Sequence, residues 1–144
     1  MSLCQDFLTN DGRAIPAFIG QALSGRPLTV AGDGSQTRSI CYVDDTVRGI
    51  LAMAFSGERG PVNIGNPDEL SMLRLAEWVR ELTGSTSPIT FIDLPVDDPK
   101  VRRPDTTRAE TLLDWRPSVS SEEGLRRTVA WFAEVLGRRA TATG

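Results

Sequence analysis

The sequence predicts an α/β fold with a small mixed sheet and several helices. Short apolar segments rich in β-branched residues alternate irregularly with longer segments whose apolar residues recur at helical spacing. Glycine or proline lies at most of the boundaries between them. Because the predicted strands are short and few, the pattern indicates a small sheet with packed helices rather than a complete doubly wound sheet.

In the first half of the chain, turn and cap signals separate two helices from three strands. We expect a helix at residues 14–24, strands at 28–31 and 37–42, a helix at 43–56 and a strand at 62–64. Pro16 suits the first turn of a helix, where a missing N–H removes no hydrogen bond, and Gly25 ends this helix. A glycine turn at 32–34 separates the strands, and Asp44 and Asp45 complement the dipole at the start of the next helix.

In the second half, two serines mark the starts of helices. Ser71 is expected to cap a helix that Gly84 ends, and Ser120 opens the capping box Ser120-x-x-Glu123 of the last helix. Between them we expect a strand at 88–94, a charged loop at 96–104 and a short helix at 105–114. Residues 10–137 are predicted to form one domain, with a weakly patterned lead-in at 1–9 and a frayed tail at 138–144.

Composition excludes several classes of function. The 144 residues carry a net charge of −3, which gives no overall attraction to nucleic acid or to an anionic membrane. Histidine is absent, and the two cysteines, Cys4 and Cys41, form no metal-binding pattern. No apolar run approaches the roughly 20 residues that span a bilayer. We therefore expect a cytoplasmic protein with no metal, membrane or nucleic-acid partner.

The Gly32-x-Gly34 turn does not fulfil the dinucleotide-binding fingerprint. That fingerprint needs a third glycine and must open a helix, whereas this turn precedes the strand predicted at 37–42. The pattern alone favours a hairpin turn between paired strands.

Arg38 is a candidate phosphate ligand within that strand. A guanidinium is always charged and can contact two phosphate oxygens at once, so it suits an anion site. The alternative is an arginine at the strand edge that pairs with Asp33 or Asp44. The residues alone leave both interpretations open.

The segment Arg102-Arg103-Pro104-Asp105 offers a second candidate. Two adjacent arginines before a helix could clamp a diphosphate, and Asp105 could accept hydrogen bonds from sugar hydroxyls. In the alternative, Asp105 only caps the helix and both arginines are solvated. No nucleophile is paired with a base in this sequence, so we predict no catalytic residue in the chain.

An ordered series of short motifs resembles one family. The series consists of Asn10-Asp11-Gly12-Arg13, Gly25-Arg26-Pro27-Leu28-Thr29-Val30, Gly32-Asp33-Gly34-Ser35-Gln36-Thr37-Arg38-Ser39, Tyr42-Val43-x-Asp45, Val62-Asn63-Ile64-Gly65-Asn66-Pro67, Asp97-Asp98-Pro99-x-x-Arg102-Arg103-Pro104-Asp105, Leu112-Leu113-x-Trp115-x-Pro117 and Glu122-Glu123-Gly124-Leu125. Together they resemble the C-terminal part of extended short-chain dehydrogenases/reductases, the NAD-dependent epimerase/dehydratase family, and most of all its UDP-glucuronate decarboxylase (UDP-xylose synthase) branch. The resemblance covers residues 10–135 and implies a substrate-binding lobe without its Rossmann domain.

This resemblance implies a UDP-sugar site with contacts to each part of the nucleotide. Arg38 and Arg102 would hold the diphosphate, and Asp105 would contact the ribose. The strand at 28–31, which contains Leu28, Val30 and Ala31, would lie along the uracil and ribose. A helix ending near Gln21 would flank the same cleft.

The family's glycine-rich NAD loop and its catalytic tyrosine and lysine have no match in this sequence. The resemblance places them upstream, so we expect a chain that binds no NAD and is inactive alone, although the full-length enzymes use NAD. Ala31 stands where family members usually carry a tyrosine, which removes one stacking contact with the nucleotide.

The sequence thus predicts the UDP-sugar-binding lobe of a UDP-glucuronate decarboxylase-like enzyme. The alternatives are a free-standing nucleotide-sugar-binding or assembly module, and a fragment of another family member, an epimerase or a 4,6-dehydratase. A lobe of this kind should expose apolar surface, with the helix at 43–56 as the best candidate. We therefore expect a Rossmann-domain partner chain or self-association.

Overall fold

A computed structural model describes residues 13–93 and the backbone of residues 101–142, with the side chains of residues 103–137 in the second range. The lead-in at 1–9 and the motif segment Asp97-Asp98-Pro99 lie outside the described residues. In chain order, the elements are α1 (Ala14–Leu23), β1 (Leu28–Ala31), β2 (Thr37–Ser39), α2 (Val43–Ser56), β3 (Glu69–Ser71), α3 (Met72–Thr83), β4 (Ile89–Ile92), β5 (Val101–Arg102), α4 (Thr107–Leu113) and α5 (Ser121–Ala142).

These elements group into two compact units, and each unit has its own sheet. The first unit comprises residues 13–35, 71–93 and 126–142. The second comprises residues 36–70 and 101–125. The chain therefore passes repeatedly from one unit to the other, and α5 begins in the second unit and continues in the first.

In the first unit, α1 and α3 pack against β1, which pairs in parallel with β4. The register joins Leu28 to Ile89 and Ala31 to Ile92. The buried apolar side chains of this unit come from both helices, from β1 and from α5; they include Phe18, Ile19, Leu28, Val30, Leu75, Val79 and Val129. Apolar residues at helical spacing on the helices and at alternate positions on β1 therefore build this core.

The predicted signals at helix ends are confirmed. The Ser71 hydroxyl accepts a hydrogen bond from the backbone N–H of Arg74 at 3.1 Å and so caps α3. This helix ends at Gly84, whose φ of +64° is a left-handed conformation that glycine adopts without strain. At the start of α5, the Ser120 hydroxyl accepts from the backbone N–H of Glu123 at 3.2 Å.

In the second unit, β2 lies between β3 and β5, and α2 packs against α4. Gly49 lets α2 approach its neighbours closely. A Cβ at this position would collide with Cγ2 of Ile64 and would lie 3.0 Å from Cε2 of Trp115. Trp115 is fully buried, and its indole N–H donates to the backbone carbonyl of Asp45 at 3.1 Å.

The helices lie close to their predicted positions, and α2 has the predicted bounds. The strand prediction at 62–64 is wrong, since these residues form no strand, and residues 101–102, predicted as loop, form β5. The second strand ends at Ser39 rather than at residue 42. The hairpin prediction is also wrong, because β1 and β2 belong to different sheets. At the other end of the chain, α5 continues to Ala142, beyond the boundary expected at residue 137.

Candidate functional site

Two of the expected phosphate ligands are register partners on neighbouring strands of the second unit. Arg38 of β2 pairs with Arg102 of β5, in a parallel arrangement that also joins Thr37 to Val101. Neighbouring strands are about 4.8 Å apart, so the backbone brings two arginines to adjacent positions of the sheet. An arginine can contact two anion oxygens at once, so a pair of arginines in register is a candidate anion site.

The Arg38 side chain is half-buried, and its own strand orients it. The guanidinium Nη1 donates a hydrogen bond to the carbonyl oxygen of Thr37 at 2.8 Å. Because the guanidinium group is planar, this hydrogen bond from one N–H also fixes the directions of the other N–H groups. The side chain of Arg102 lies outside the described residues.

Arg103 has a different partner from the one that a diphosphate clamp requires. Its Nη1 lies 3.8 Å from Oε2 of Glu69 on β3. The other carboxylate oxygen of Glu69 accepts a hydrogen bond from the Thr37 hydroxyl at 2.6 Å. Because Arg103 faces a carboxylate, the structure does not support the idea that Arg102 and Arg103 together clamp one diphosphate.

Asp105 closes a turn at the start of α4. Its Oδ1 accepts hydrogen bonds from the backbone N–H of Thr107 at 2.9 Å and from the Thr107 hydroxyl at 2.6 Å. The bond from the Thr107 hydroxyl, followed by the backbone bond and the nearby charge of Arg103, lowers the pKa of Asp105 below its ordinary value. The N-cap of α4 is Thr106 and not Asp105, so the alternative that Asp105 caps this helix is wrong, and its carboxylate closes a turn just before the helix. It also remains exposed and ionised.

An open cavity of about 440 Å³ lies beside this turn. Pro67, residues 103–107 and Glu110 line it. The volume lies in the range of small-molecule sites. Carboxylate and hydroxyl oxygens in the lining give this cavity acceptors for the hydroxyl groups of a ligand.

Asp45 has a role that the sequence analysis missed. The residue is 1% exposed, at the start of α2. Its carboxylate accepts hydrogen bonds from Arg48 at 2.7 Å, from the Ser118 N–H and hydroxyl at 2.9 and 2.7 Å, and from the Val119 N–H at 2.8 Å. Burial raises the pKa of this carboxyl, but the hydrogen bonds outweigh burial and lower the pKa from 3.8 to about 2. An ionised Asp45 therefore fixes the segment 115–119, which leads into α5.

The other four expected contact residues belong to the first unit. Gln21 of α1 is bound to β1, because its Oε1 accepts from the backbone N–H of Thr29 at 3.0 Å and its Nε2 donates to the Thr29 hydroxyl at 2.8 Å. Leu28 and Val30 are 0% exposed, so a ligand along β1 would meet their backbone and not their side chains. Ala31 is half-buried at the end of β1.

Within residues 13–93 and 103–137, no three His, Cys, Asp or Glu side chains are grouped as metal ligands. No helix in the described part of the chain is long and apolar enough to cross a membrane.

Comparisons with a family model and with known proteins point to the same family. The sequence model of the NAD dependent epimerase/dehydratase family matches residues 5–65. UDP-glucuronic acid decarboxylase 1 of Danio rerio is 46% identical over 131 residues, which is 91% of this chain and 31% of that protein. UDP-glucuronic acid decarboxylase 5 of Arabidopsis thaliana is 47% identical over 116 residues, 81% of this chain and 34% of that protein. The chain spans about a third of the length of the curated relatives it matches.

Solved structures of similar proteins confirm the predicted fold class. The UDP-glucose 4-epimerase of Thermotoga maritima, solved with UDP-glucose, has a TM-score of 0.83 and 31% identity over 86% of this chain and 40% of that chain. The UDP-glucuronic acid 4-epimerase of Bacillus cereus, solved with UDP-glucuronic acid and NAD, has a TM-score of 0.80 and 30% identity over 86% of this chain and 40% of that chain. The mixed α/β arrangement described here is thus the one found in part of these enzymes.

Proposed function

Because the chain belongs to the NAD dependent epimerase/dehydratase family, we propose that it is the nucleotide-sugar-binding lobe of a UDP-glucuronate decarboxylase-like enzyme. The curated relatives named above are UDP-glucuronic acid decarboxylases. The proposed ligand of this chain is therefore a UDP-sugar, with UDP-glucuronate as the first candidate.

The observation that carries the proposal is the register of Arg38 with Arg102. A diphosphate has two anionic groups a few ångströms apart, and guanidinium groups from adjacent strands suit both of them. Asp105 follows Arg102 by three positions and lies at a cavity that could hold the ribose. Its exposed carboxylate is ionised at neutral pH, as for an ordinary aspartate, so it is available as a hydrogen-bond acceptor.

In this proposal, β1 contributes through its backbone, along the uracil and ribose. Peptide groups would recognise the base, because the side chains of Leu28 and Val30 are buried. Gln21 would position the strand, since its amide holds both the N–H and the hydroxyl of Thr29. Ala31 is too small to stack on the nucleotide, so the affinity should be lower than with an aromatic residue there.

We further propose that this polypeptide binds the nucleotide sugar without converting it. It spans about a third of the length of its curated relatives. Its 144 residues contain no Gly-x-Gly-x-x-Gly fingerprint and no Tyr-x-x-x-Lys pair. NAD binding and hydride transfer would then require a Rossmann-domain partner.

The exposed face of α2 is the surface that we assign to this partner. Five large apolar side chains of the helix are exposed, and Phe55 reaches 87%: Val43, Val47, Ile50, Leu51 and Phe55. A contiguous apolar row of this kind usually packs against another protein surface. In the absence of the partner, the same face would cause self-association.

Isothermal titration calorimetry tests the proposed function. We expect UDP-glucuronate to bind and NAD not to bind. Arg38→Ala should lower the affinity for UDP-glucuronate at least tenfold, since a charge-assisted contact contributes about 1.5–3 kcal/mol. Arg59→Ala, at an exposed arginine of the same unit, is the matched control and should bind as the unmodified chain does. Equal affinity of Arg38→Ala, or NADH-dependent turnover by the pure chain, would contradict the proposal.

The second candidate is a lobe of an epimerase or a 4,6-dehydratase, and the same titration separates the proposal from the classes that use UDP-glucose or dTDP-glucose. A UDP-glucuronic acid 4-epimerase lobe would bind the same UDP-glucuronate. The solved UDP-glucose and UDP-glucuronic acid 4-epimerases favour this candidate, because both have TM-scores of at least 0.80 to this chain. Preference for UDP-glucose would indicate a UDP-glucose 4-epimerase, and preference for dTDP-glucose would indicate a 4,6-dehydratase. Tight binding by a chain that never associates with a Rossmann domain would instead indicate a free-standing binding module.

A further inference from the structure

Residues 60–65, which we call the supporting segment, contact residues 104–108, the stretch that contains Asp105. At one end, a Cβ on Gly60 would lie 2.9 Å from Nη2 of Arg108. At the other end, a Cβ on Gly65 would lie 2.9 Å from Cγ of Pro104. A larger residue at Gly65 would collide with the rigid Pro104 ring, whereas at Gly60 the end of the flexible Arg108 side chain could move aside, and the two contacts occur in opposite chain order.

Asn63 forms a hydrogen bond at the centre of this contact. Its side-chain Nδ2 donates to the backbone carbonyl oxygen of Asp105 at 3.0 Å. Pro104 has no backbone N–H, so residues 104–108 cannot complete a regular strand ladder here. A side-chain amide provides the hydrogen bond between the two segments, and residues 62–64 form no strand.

The supporting segment is held in place by α2. Ile64 of the supporting segment packs against Gly49 of α2. Trp115, in the segment after α4, contacts the same glycine. Since Asn63 and Gly65 flank Ile64, this packing sets the position of the Asn63 amide. The packed segment around Ile64 thus holds the Asn63 amide beside Asp105.

Asp105 is therefore held at two points. Asn63 binds its carbonyl oxygen, and Thr107 binds its carboxylate oxygen Oδ1. We propose that Asn63 is a positioning residue for Asp105, and this inference rests on the proposed nucleotide-sugar function. Because the carbonyl oxygen and Oδ1 are both held by hydrogen bonds, the orientation of the second carboxylate oxygen, Oδ2, is also fixed. In this orientation Oδ2 can accept a hydrogen bond from a ribose hydroxyl.

The first test needs no ligand. In Asn63→Ala and in Asn63→Asp, which keeps the size but not the donor, we expect the Thr107 amide to exchange its hydrogen roughly tenfold faster. The pKa of Asp105, followed by carboxyl NMR, should rise toward its ordinary value in both variants. Asn63 is exposed, so neither variant should lower the melting temperature by more than a few degrees. Arg59→Ala is the control and should change neither signal.

The second test measures recognition of the ribose. The unmodified chain should bind UDP more tightly than 2′-deoxy-UDP, and both Asn63 variants should lose most of this preference, as Asp105→Ala should. If the unmodified chain binds no UDP compound, the proposed function fails, and the exchange of Thr107 still decides the role of Asn63. The inference about Asn63 is overturned if its variants keep the exchange rate, the Asp105 pKa and the ribose preference of the unmodified chain.

Discussion

Asp45 places a full negative charge in the core of the second unit, where hydrogen bonds compensate it. The donors come from the same helix, through Arg48, and from a segment more than 70 positions away, through Ser118 and Val119. A buried carboxylate is costly when its partners are lost, because the remaining groups stay desolvated. The stability of this chain should therefore depend strongly on one side chain.

We expect Asp45→Asn to reduce the free energy of unfolding by about 3 kcal/mol at neutral pH. The amide brings a donor toward the N–H groups of Ser118 and Val119 and accepts fewer hydrogen bonds. Asp44→Asn is the matched control, since Asp44 lies in the same first turn but is exposed, and it should change stability by only ~0.5 kcal/mol. Urea unfolding measures both, and equal effects of the two variants would show that only the helix dipole matters.

The lowered pKa of Asp45 also predicts the acid sensitivity of the fold. A carboxyl with a pKa near 2 in the folded state and 3.8 in the unfolded state contributes about 2 kcal/mol of stability above pH 4. This contribution is lost as the pH falls from about 4 to about 2, because the unfolded chain then binds the proton more readily. Urea unfolding between pH 5 and pH 2 should show this loss in the unmodified chain and not in Asp45→Asn.

Single residues could be predicted only where their partners are local. The Ser71 cap and the Gly84 stop depend on neighbours within a few positions, and both are confirmed. Asp45 also appeared as a local signal, a charge at a helix start, but its main partners lie near residue 118. Nothing in the spacing of the sequence indicates that long-range contact.

At the scale of single elements, α2 shows both what periodicity predicts and what it omits. Its bounds match the prediction, which rested on apolar spacing and on the acidic residues of the first turn. The close approach at Gly49 does not follow from periodicity, because it depends on Ile64 and Trp115. For the same reason, the pairing of β2 with β5 could not be predicted, since the register joins residues from distant parts of the chain.

Gly49→Ala tests whether packing outweighs helix propensity in α2. Alanine favours a helix over glycine by up to about 1 kcal/mol, but the added methyl group would collide with Ile64. We expect a net loss of about 1–3 kcal/mol in the free energy of unfolding. Gly137→Ala in α5 is the control, because no atom outside its chain neighbours and its own helix backbone lies within 4 Å of the Cβ position, and it should be neutral or slightly stabilising. A stabilised Gly49→Ala would refute the close packing described here.

For the whole molecule, the exposed face of α2 predicts concentration-dependent association. Sedimentation velocity of the purified chain should show dimers or larger species at micromolar concentrations, because apolar side chains such as Ile50 and Phe55 are exposed. Ile50→Glu and Phe55→Glu should shift the chain toward monomer, whereas Arg59→Glu, in the exposed loop after the helix, should not. A monomer at all concentrations would contradict the assignment of this face to a partner.

The order of the two units along the chain has a consequence for how such a protein can change in evolution. Each unit is assembled from separate stretches, 13–35, 71–93 and 126–142 for the first and 36–70 and 101–125 for the second. A single crossover between two genes would therefore leave both units with pieces from both parents whenever it falls between residues 36 and 125. Neither unit is encoded by one continuous stretch, so neither can be exchanged or deleted in one piece without cutting through the other or leaving parts of itself behind.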